Sequence, residues 1–185
     1  MNNTLCCFTV CLGLICGSTL GLPYMQEAGF EQPLLITSAG QSAEVRLASV
    51  LAKRAGLPFT LAPAAGPEDL NQAATLVLSL GASLKGLGAA GLDVRQEKER
   101  VSALVAAAGA KKIPVICLHL GGEARRGQLS DDFISTFLPY ARLAIVVKSG
   151  NQDGLFTRLC QRHGIPLIEV QRVVDALEPL KGVFQ

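Results

Sequence analysis

The chain is poor in the residues that most catalytic and metal-binding sites use. It has no tryptophan, two tyrosines and only two histidines, His119 and His163, among 185 residues. There is no C-x-x-C or H-x-x-x-H spacing, so the sequence predicts no metal site and no cofactor. The G-x-S-x-G motif of a serine nucleophile is also absent. These absences favour a binding domain. An enzyme that uses neither a metal, a cofactor nor this serine motif remains an alternative.

Charge is scarce as well. Charged residues make up 17% of the chain, hydrophobic residues 49%, and the net charge is +2. A general nucleic-acid-binding protein carries basic stripes interleaved with aromatic residues, and neither is present. We therefore expect no nucleic-acid partner and a single domain with an aliphatic core.

Residues 1–26 contain no charged side chain, and residues 5–22 are apolar or small throughout. This length and character indicate a signal peptide or an N-terminal membrane anchor at residues 1–22, although no Lys or Arg precedes Arg46. A cleaved signal is favoured, so we expect an exported protein that touches a membrane only through this segment, if it is kept. A linker at residues 23–32 and an α/β domain at residues 33–185 would follow.

Apolar runs alternate with amphipathic stretches along the rest of the chain. Helices are predicted at residues 41–55, after the caps Asp93 and Ser130, from Asp153, and at residues 173–180. The predicted strands are residues 33–37, 57–62, 73–80, 113–120, 141–147 and 165–170. This alternation predicts one doubly wound, mostly parallel sheet of five to six strands with helices on both faces, either Rossmann-like or flavodoxin-like.

Polar and glycine residues are concentrated in four loops that follow predicted strands. In an open parallel sheet such loops meet at one edge, where ligands bind. Four cations among them indicate a small anionic ligand. The candidate site residues are Ser38, Gln41, Ser42, Ser83, Lys85, His119, Glu123, Arg125, Arg126, Lys148, Asn151 and Asp153.

The first and third loops carry the most specific chemistry. Ser38, Gln41 and Ser42 precede a helix, where free backbone N–H groups favour an anion, although a plain turn has the same pattern. Arg125 and Arg126 stand between glycines beside Glu123. Arginine binds carboxylate or phosphate through two hydrogen bonds, and a neighbouring glutamate can orient it. We expect one of the two arginines, not both, in the site.

The second and fourth loops allow two interpretations each. Residues 86–91 match G-x-G-x-x-G, but they follow the third strand and no acidic residue ends the next one, so we do not expect dinucleotide binding. Either Ser83 and Lys85 contact the ligand or the small residues pack closely on a neighbour. In the fourth loop Asp153, beside Lys148 and Asn151, is first a helix cap. The alternative is an ion pair of Asp153 with Lys148 or with an arginine across the crevice.

His119, Cys117 and Cys160 lie in apolar patterns. A buried histidine is the more common outcome for His119, and an acid–base role is the alternative. The two cysteines are typical of small buried side chains, and the sequence leaves open whether they form a disulfide.

Four segments together resemble a bacterial family of exported proteins classed as a domain of unknown function. They are residues 37–42, 81–91, 121–127 and 153–156, and the resemblance covers about residues 33–184. It implies an extracytoplasmic α/β domain and no established activity.

Three hypotheses about function follow. The first is an extracytoplasmic domain that binds a small anionic molecule. The second is a hydrolase or transferase acting on a phosphate or carboxylate ester, with His119 or Glu123 as the acid–base group. The third is a protein-interaction domain whose loops serve only structure. The four loops contain several cationic groups but no complete nucleophile–base pair, and this favours the first hypothesis.

Overall fold

A computed structural model describes residues 29–184, which form a sheet of six parallel strands. The strand order is β2-β1-β3-β4-β5-β6. The strands are β1 (Leu34–Ala39), β2 (Phe59–Leu61), β3 (Thr75–Leu80), β4 (Val115–His119), β5 (Leu143–Val147) and β6 (Leu167–Val170). The predicted doubly wound α/β fold is confirmed, and the strand order is of the flavodoxin-like kind.

Six α-helices connect or follow these strands. They are α1 (Val45–Ala55), α2 (Leu84–Ala89), α3 (Val94–Ala110), α4 (Gln128–Phe137), α5 (Leu155–His163) and α6 (Leu177–Gly182). Gly56 and Gly164 end α1 and α5 in the left-handed conformation, with φ of 72° and 65°. The predicted cap of α3 is also present, because Asp93 Oδ1 accepts a 2.7 Å hydrogen bond from the N–H of Gln96.

The helices cover both faces of the sheet because side chains alternate along each strand. Leu34 and Ile36 of β1 point toward α1 and α6, where they join the core that contains Leu51. Leu35 points to the other face, which is covered by α3, α4 and α5 and includes Phe133 and Phe156. Both faces are thus buried, as in other parallel sheets.

Three local predictions need correction. The first helix begins at Val45, not at residue 41, because Gly40 and Gln41 turn the chain with φ of 105° and 56°. Ser130 lies inside α4 instead of capping it, and its hydroxyl accepts a 3.0 Å hydrogen bond from the N–H of Ala82. Most of the glycine-rich segment 86–91 belongs to the helix α2 and not to a loop.

The predicted leader and most of the predicted linker fall on residues 1–28, outside the described residues, and those predictions stay open. Phe30, assigned to the linker from the sequence, is buried in the core and its ring lies 6.0 Å from that of Phe184. The domain therefore begins before residue 33. Within residues 29–184, no helix has the length and apolar character needed to cross a membrane.

Burial of Phe30 gives the first testable prediction. Because its ring is 5% exposed, Phe30→Ala should lower the free energy of unfolding by about 3–5 kcal/mol in a denaturant titration. Tyr140→Ala removes an aromatic ring that is 53% exposed and should change it by less than about 0.5 kcal/mol. Equal effects of the two changes would mean that the chain before β1 is not part of the core.

Candidate functional site

The loops that follow β1 and β3 meet at the carboxyl edge of the sheet. The chain leaves these neighbouring strands in opposite directions, which is where open α/β sheets form a binding crevice. In this domain the chain itself fills that space. Gln41 and Ala82 form an antiparallel bridge, and a Cβ atom on Gly40 would lie 2.6 Å from the carbonyl oxygen of Gly81. A ligand at this edge must therefore bind beside this contact and not within it.

A carboxylate of the protein occupies the predicted anion cradle after β1. Glu97 of α3 is fully buried, and its Oε1 accepts hydrogen bonds from the N–H of Gly40 at 2.9 Å and from Gln41 Nε2 at 3.1 Å. Arg100 donates to both oxygens of Glu97 at 2.8 Å. The N–H groups of this loop thus bind an anion that the protein itself supplies.

Arg100, the partner of Glu97, is nearly buried despite its charge. Its side chain is 13% exposed and donates at 2.6 Å to the carbonyl oxygens of Ser38 and Ala65. The signal for this pair lay in the sequence. Glu97 is three residues after Val94 and four before Val101, so it belongs to the apolar stripe of its helix.

Three predicted serines serve local structure or lie buried. Ser38 Oγ accepts a 3.1 Å hydrogen bond from the N–H of Ser42, and Ser83 Oγ accepts one of 3.1 Å from the N–H of Gly86. The Ser42 hydroxyl is buried without a hydrogen-bond partner in the described part of the chain. Gly86 packs closely on the first loop, because a Cβ atom there would lie 1.9 Å from the carbonyl oxygen of Gln41. Close packing is therefore one role of these glycines.

Arg126 ties the loops after β4 and β5 together. Its guanidinium donates to Asp131 at 2.6 and 3.1 Å, to both oxygens of Asp153 at 2.9 Å, and to the carbonyl oxygen of Gly150. It also lies 5.8 Å from the centre of the Phe156 ring. These hydrogen bonds hold the pKa of Asp153 well below its usual range and raise the pKa of Arg126. Arg126 thus acts as a clasp between two loops.

Arg125 makes a different set of contacts from its neighbour. Its Nε donates to Glu44 Oε1 at 2.6 Å, while no hydrogen bond from its two terminal nitrogens to residues 29–184 is present. The Arg125 side chain is 40% exposed and that of Glu44 only 10%. The guanidinium is therefore held in position through its Nε, while its two terminal nitrogens stay without a bond to the described residues.

Glu44 is ionised in this arrangement. Burial alone would raise its pKa, but the nearby Ser42 hydroxyl and the Arg125 guanidinium hold the pKa below its ordinary value. Ser42 Oγ is close enough to act on the Glu44 charge, although it does not meet Glu44 Oε2 in hydrogen-bond geometry. A charged Glu44 favours a fixed position for Arg125.

His119 is a core residue. It is fully buried, its ring lies 5.0 Å from that of Phe156, and its nitrogens face two carbonyl oxygens, of Leu80 at 2.9 Å and of Gly122 at 3.1 Å. Burial lowers its pKa, although both carbonyl contacts oppose this shift. A neutral ring can donate only one of the two bonds. Because the His119 ring is fully buried, it has no access to a substrate.

The other predicted residues divide into bonded and exposed ones. Asn151 is buried, accepts from the N–H of Phe156 at 2.9 Å and donates to Thr157 at 2.8 Å and Glu169 at 3.0 Å. Lys85, Glu123 and Lys148 are exposed, and none of their side chains makes a hydrogen bond or ion pair within the described residues. Only the exposed group is free to contact a ligand.

Catalytic chemistry has little support from these contacts. Within residues 29–184 no hydrogen bond joins a serine or cysteine to a histidine, and no group of acidic, histidine and cysteine residues could hold a metal ion. Cys117 and Cys160 are buried free thiols. Burial raises the pKa of Cys117 far above its usual range and that of Cys160 to about 11, so neither is a ready nucleophile.

Six parallel strands in this order, with helices on both faces and loops gathered at the carboxyl edge, define a doubly wound α/β domain. The chain belongs to the family described as a domain of unknown function, DUF6305, whose model matches residues 31–184. The predicted resemblance to a family classed as a domain of unknown function is thereby confirmed. No curated protein sequence matches this chain.

Solved structures with a similar arrangement include an esterase, AlinE4, of the SGNH-hydrolase family. It is 12% identical, with 82% of this chain and 81% of that chain covered and a TM-score of 0.31. A mutant of the same esterase is 13% identical with the same coverage and TM-score. At these values the likeness carries no information about activity.

The buried Glu97 network gives a second prediction. Glu97→Ala leaves the Arg100 charge and the N–H of Gly40 without their partner, and it should lower the free energy of unfolding by about 3–5 kcal/mol. Glu99→Ala on the same helix breaks only an exposed pair with Arg95, so about 0.5 kcal/mol or less is expected. A denaturant titration of both variants makes the comparison, and a small effect at Glu97 would contradict the structural role of the cradle.

A third prediction concerns pH. Because the pKa of His119 is lower in the folded than in the unfolded state, folding stability should fall as pH drops from about 6.5, the ordinary histidine value, toward the folded pKa. His119→Gln should flatten this part of the curve of melting temperature against pH. An unchanged slope in the variant would show that His119 does not titrate between the two states.

Proposed function

We propose that the domain binds a small molecule bearing a carboxylate or phosphate group at the carboxyl edge of the sheet, with Arg125 as its anchor. One observation carries the proposal. Arg125 is oriented by the Glu44 carboxylate through Nε alone, which leaves its two terminal nitrogens without a hydrogen-bond partner within residues 29–184, and the side chain is 40% exposed. This fork matches the two oxygens of a carboxylate or phosphate.

Exposed cations near the same edge support this proposal. Lys85 follows β3 and Lys148 follows β5, on either side of the strand that leads to Arg125. Each adds positive charge that no described carboxylate neutralises. Ser38, Gln41, Arg126, Asn151 and Asp153 have their polar groups bonded within the domain, so we place them behind the ligand and not against it.

The fixed position of Arg125 favours binding over catalysis. An oriented guanidinium loses little side-chain freedom when an anion arrives, so less of the binding energy is spent on ordering. No general base among the contacts of the described residues is poised to activate a nucleophile, which makes the ester hydrolase or transferase the weaker hypothesis.

The fourth prediction tests this anchor. A thermal-shift screen of inorganic phosphate, simple carboxylates and sugar acids should identify anions that raise the melting temperature of the wild type. Calorimetry with such an anion should then show affinity lower by about tenfold or more in Arg125→Ala, as expected when a charge-assisted bond is lost. Arg125→Lys keeps the charge without the fork and should restore only part of it.

Arg54→Ala is the matched control. Arg54 is an exposed arginine in the last turn of α1, at the opposite edge of the sheet, and its loss should leave affinity unchanged. If no anion in the screen stabilises the wild type, or if Arg125→Ala binds as the wild type does, the anion site does not exist. A protein-interaction role would then be the better hypothesis.

A further inference from the structure

The amino edge of the sheet, opposite the proposed anion site, carries a concentration of positive charge. Helices α1, α3 and α5 each end just before the strand that follows them, so their last turns all lie at this edge. The end of α6 reaches it as well, since Phe184 contacts Phe30 ahead of β1. We define the basic edge as the exposed residues Lys53, Arg54, Lys111, Lys112, Arg162 and Lys181.

These charges are not neutralised by the fold. Within residues 29–184 every ion pair joins residues outside the basic edge, and Lys111 bonds only the neutral amide of Asn71, at 2.6 Å. Glu31 borders the edge beside Lys111, while Glu68 and Asp69 lie on its flank near the start of β1. Because the whole chain has a net charge of only +2, the basic edge is a local excess of positive charge.

Lys112 occupies a position that glycine would fill more easily. The helices α1 and α5 are followed by Gly56 and Gly164 in the left-handed conformation, and the equivalent residue after α3 is Lys112 with φ of 58°. A lysine in this conformation is disfavoured relative to glycine. The left-handed conformation therefore does not by itself explain a lysine at this position.

The N-terminal part of the chain enters the domain at the same edge. Gly29 and Glu31 border a groove of about 310 Å³ together with Lys111 and Lys112, which is space enough for a single phosphate group. Gly29 comes only seven positions after Leu22, the end of the uncharged apolar run. Seven residues span at most about 25 Å, so anything that holds the apolar run also keeps the basic edge close.

We propose that the basic edge docks the domain on an anionic lipid bilayer. A charged face of this kind is attracted to acidic headgroups within about a Debye length, and one further contact from an apolar segment makes such binding stable. The carboxyl edge then faces away from the bilayer, so the proposed anion site stays open to the aqueous phase. The proposal does not depend on the anion site, because the two edges share no residue.

The test uses the full chain with vesicles of phosphatidylcholine, alone or mixed with phosphatidylglycerol, in a sedimentation assay. Binding to pure phosphatidylcholine measures the N-terminal contribution, and the gain on adding the acidic lipid measures the basic edge. We expect a clear gain for the wild type that disappears at high salt. The double variant Arg54→Ala with Lys112→Gly should lose about 30-fold, or roughly fivefold for each charge removed.

The matched control removes two charges from the first turns of the same helices, with Arg46→Ala and Arg95→Ala, and should keep the gain. Lys112→Gly alone should melt at the wild-type temperature or above it and still bind acidic vesicles more weakly, which a merely structural lysine would not do. No gain with acidic lipid, or equal losses in both double variants, would overturn the proposal. Binding of heparin by the basic edge without binding of acidic vesicles would also overturn it, in favour of a soluble polyanion.

Discussion

The buried carboxylate of Glu97 is the constraint on which the carboxyl edge depends. It joins α3 to the loop after β1, and through Arg100 it also fixes the end of β1 and the loop after β2. A buried ion pair contributes little net stability, because removing two charges from water costs about as much as their attraction returns. Its main effect is to specify one arrangement of these segments. With the crevice between β1 and β3 closed in this way, the space open to a ligand shifts toward β4.

Much of the fold could be predicted because it depends on local patterns. Apolar runs that alternate with amphipathic stretches indicated the parallel strands, and Asp93 marked the start of α3 correctly. The errors occurred where distant residues decide local structure. Ser130 was expected to cap its own helix, but it bonds Ala82, 48 residues away, and the loop after β1 is turned by contacts with α3. No periodicity in the sequence reports such pairings.

The candidate site shows the same limit at two consecutive residues. Arg125 and Arg126 share their glycine-flanked loop, and sequence alone could only suggest that one of them had a site role. The residues that they bond distinguish the two arginines. Arg126 bonds Asp131 and Asp153, while within residues 29–184 the Arg125 side chain bonds Glu44 alone, 81 residues earlier in the chain. Glu97, by contrast, was visible as a charge within an apolar stripe, and a buried carboxylate needs a partner.

The clasp made by Arg126 has a consequence for motion at this edge. Because one guanidinium bonds residues of both loops, the segment after β4 and the segment after β5 should open together and not singly, as one cooperative unit in hydrogen exchange. Arg125 is covalently attached to that unit. The surface around Arg125 is therefore stiff before any partner arrives, and association there should be governed by diffusion and charge and not by a slow rearrangement of loops.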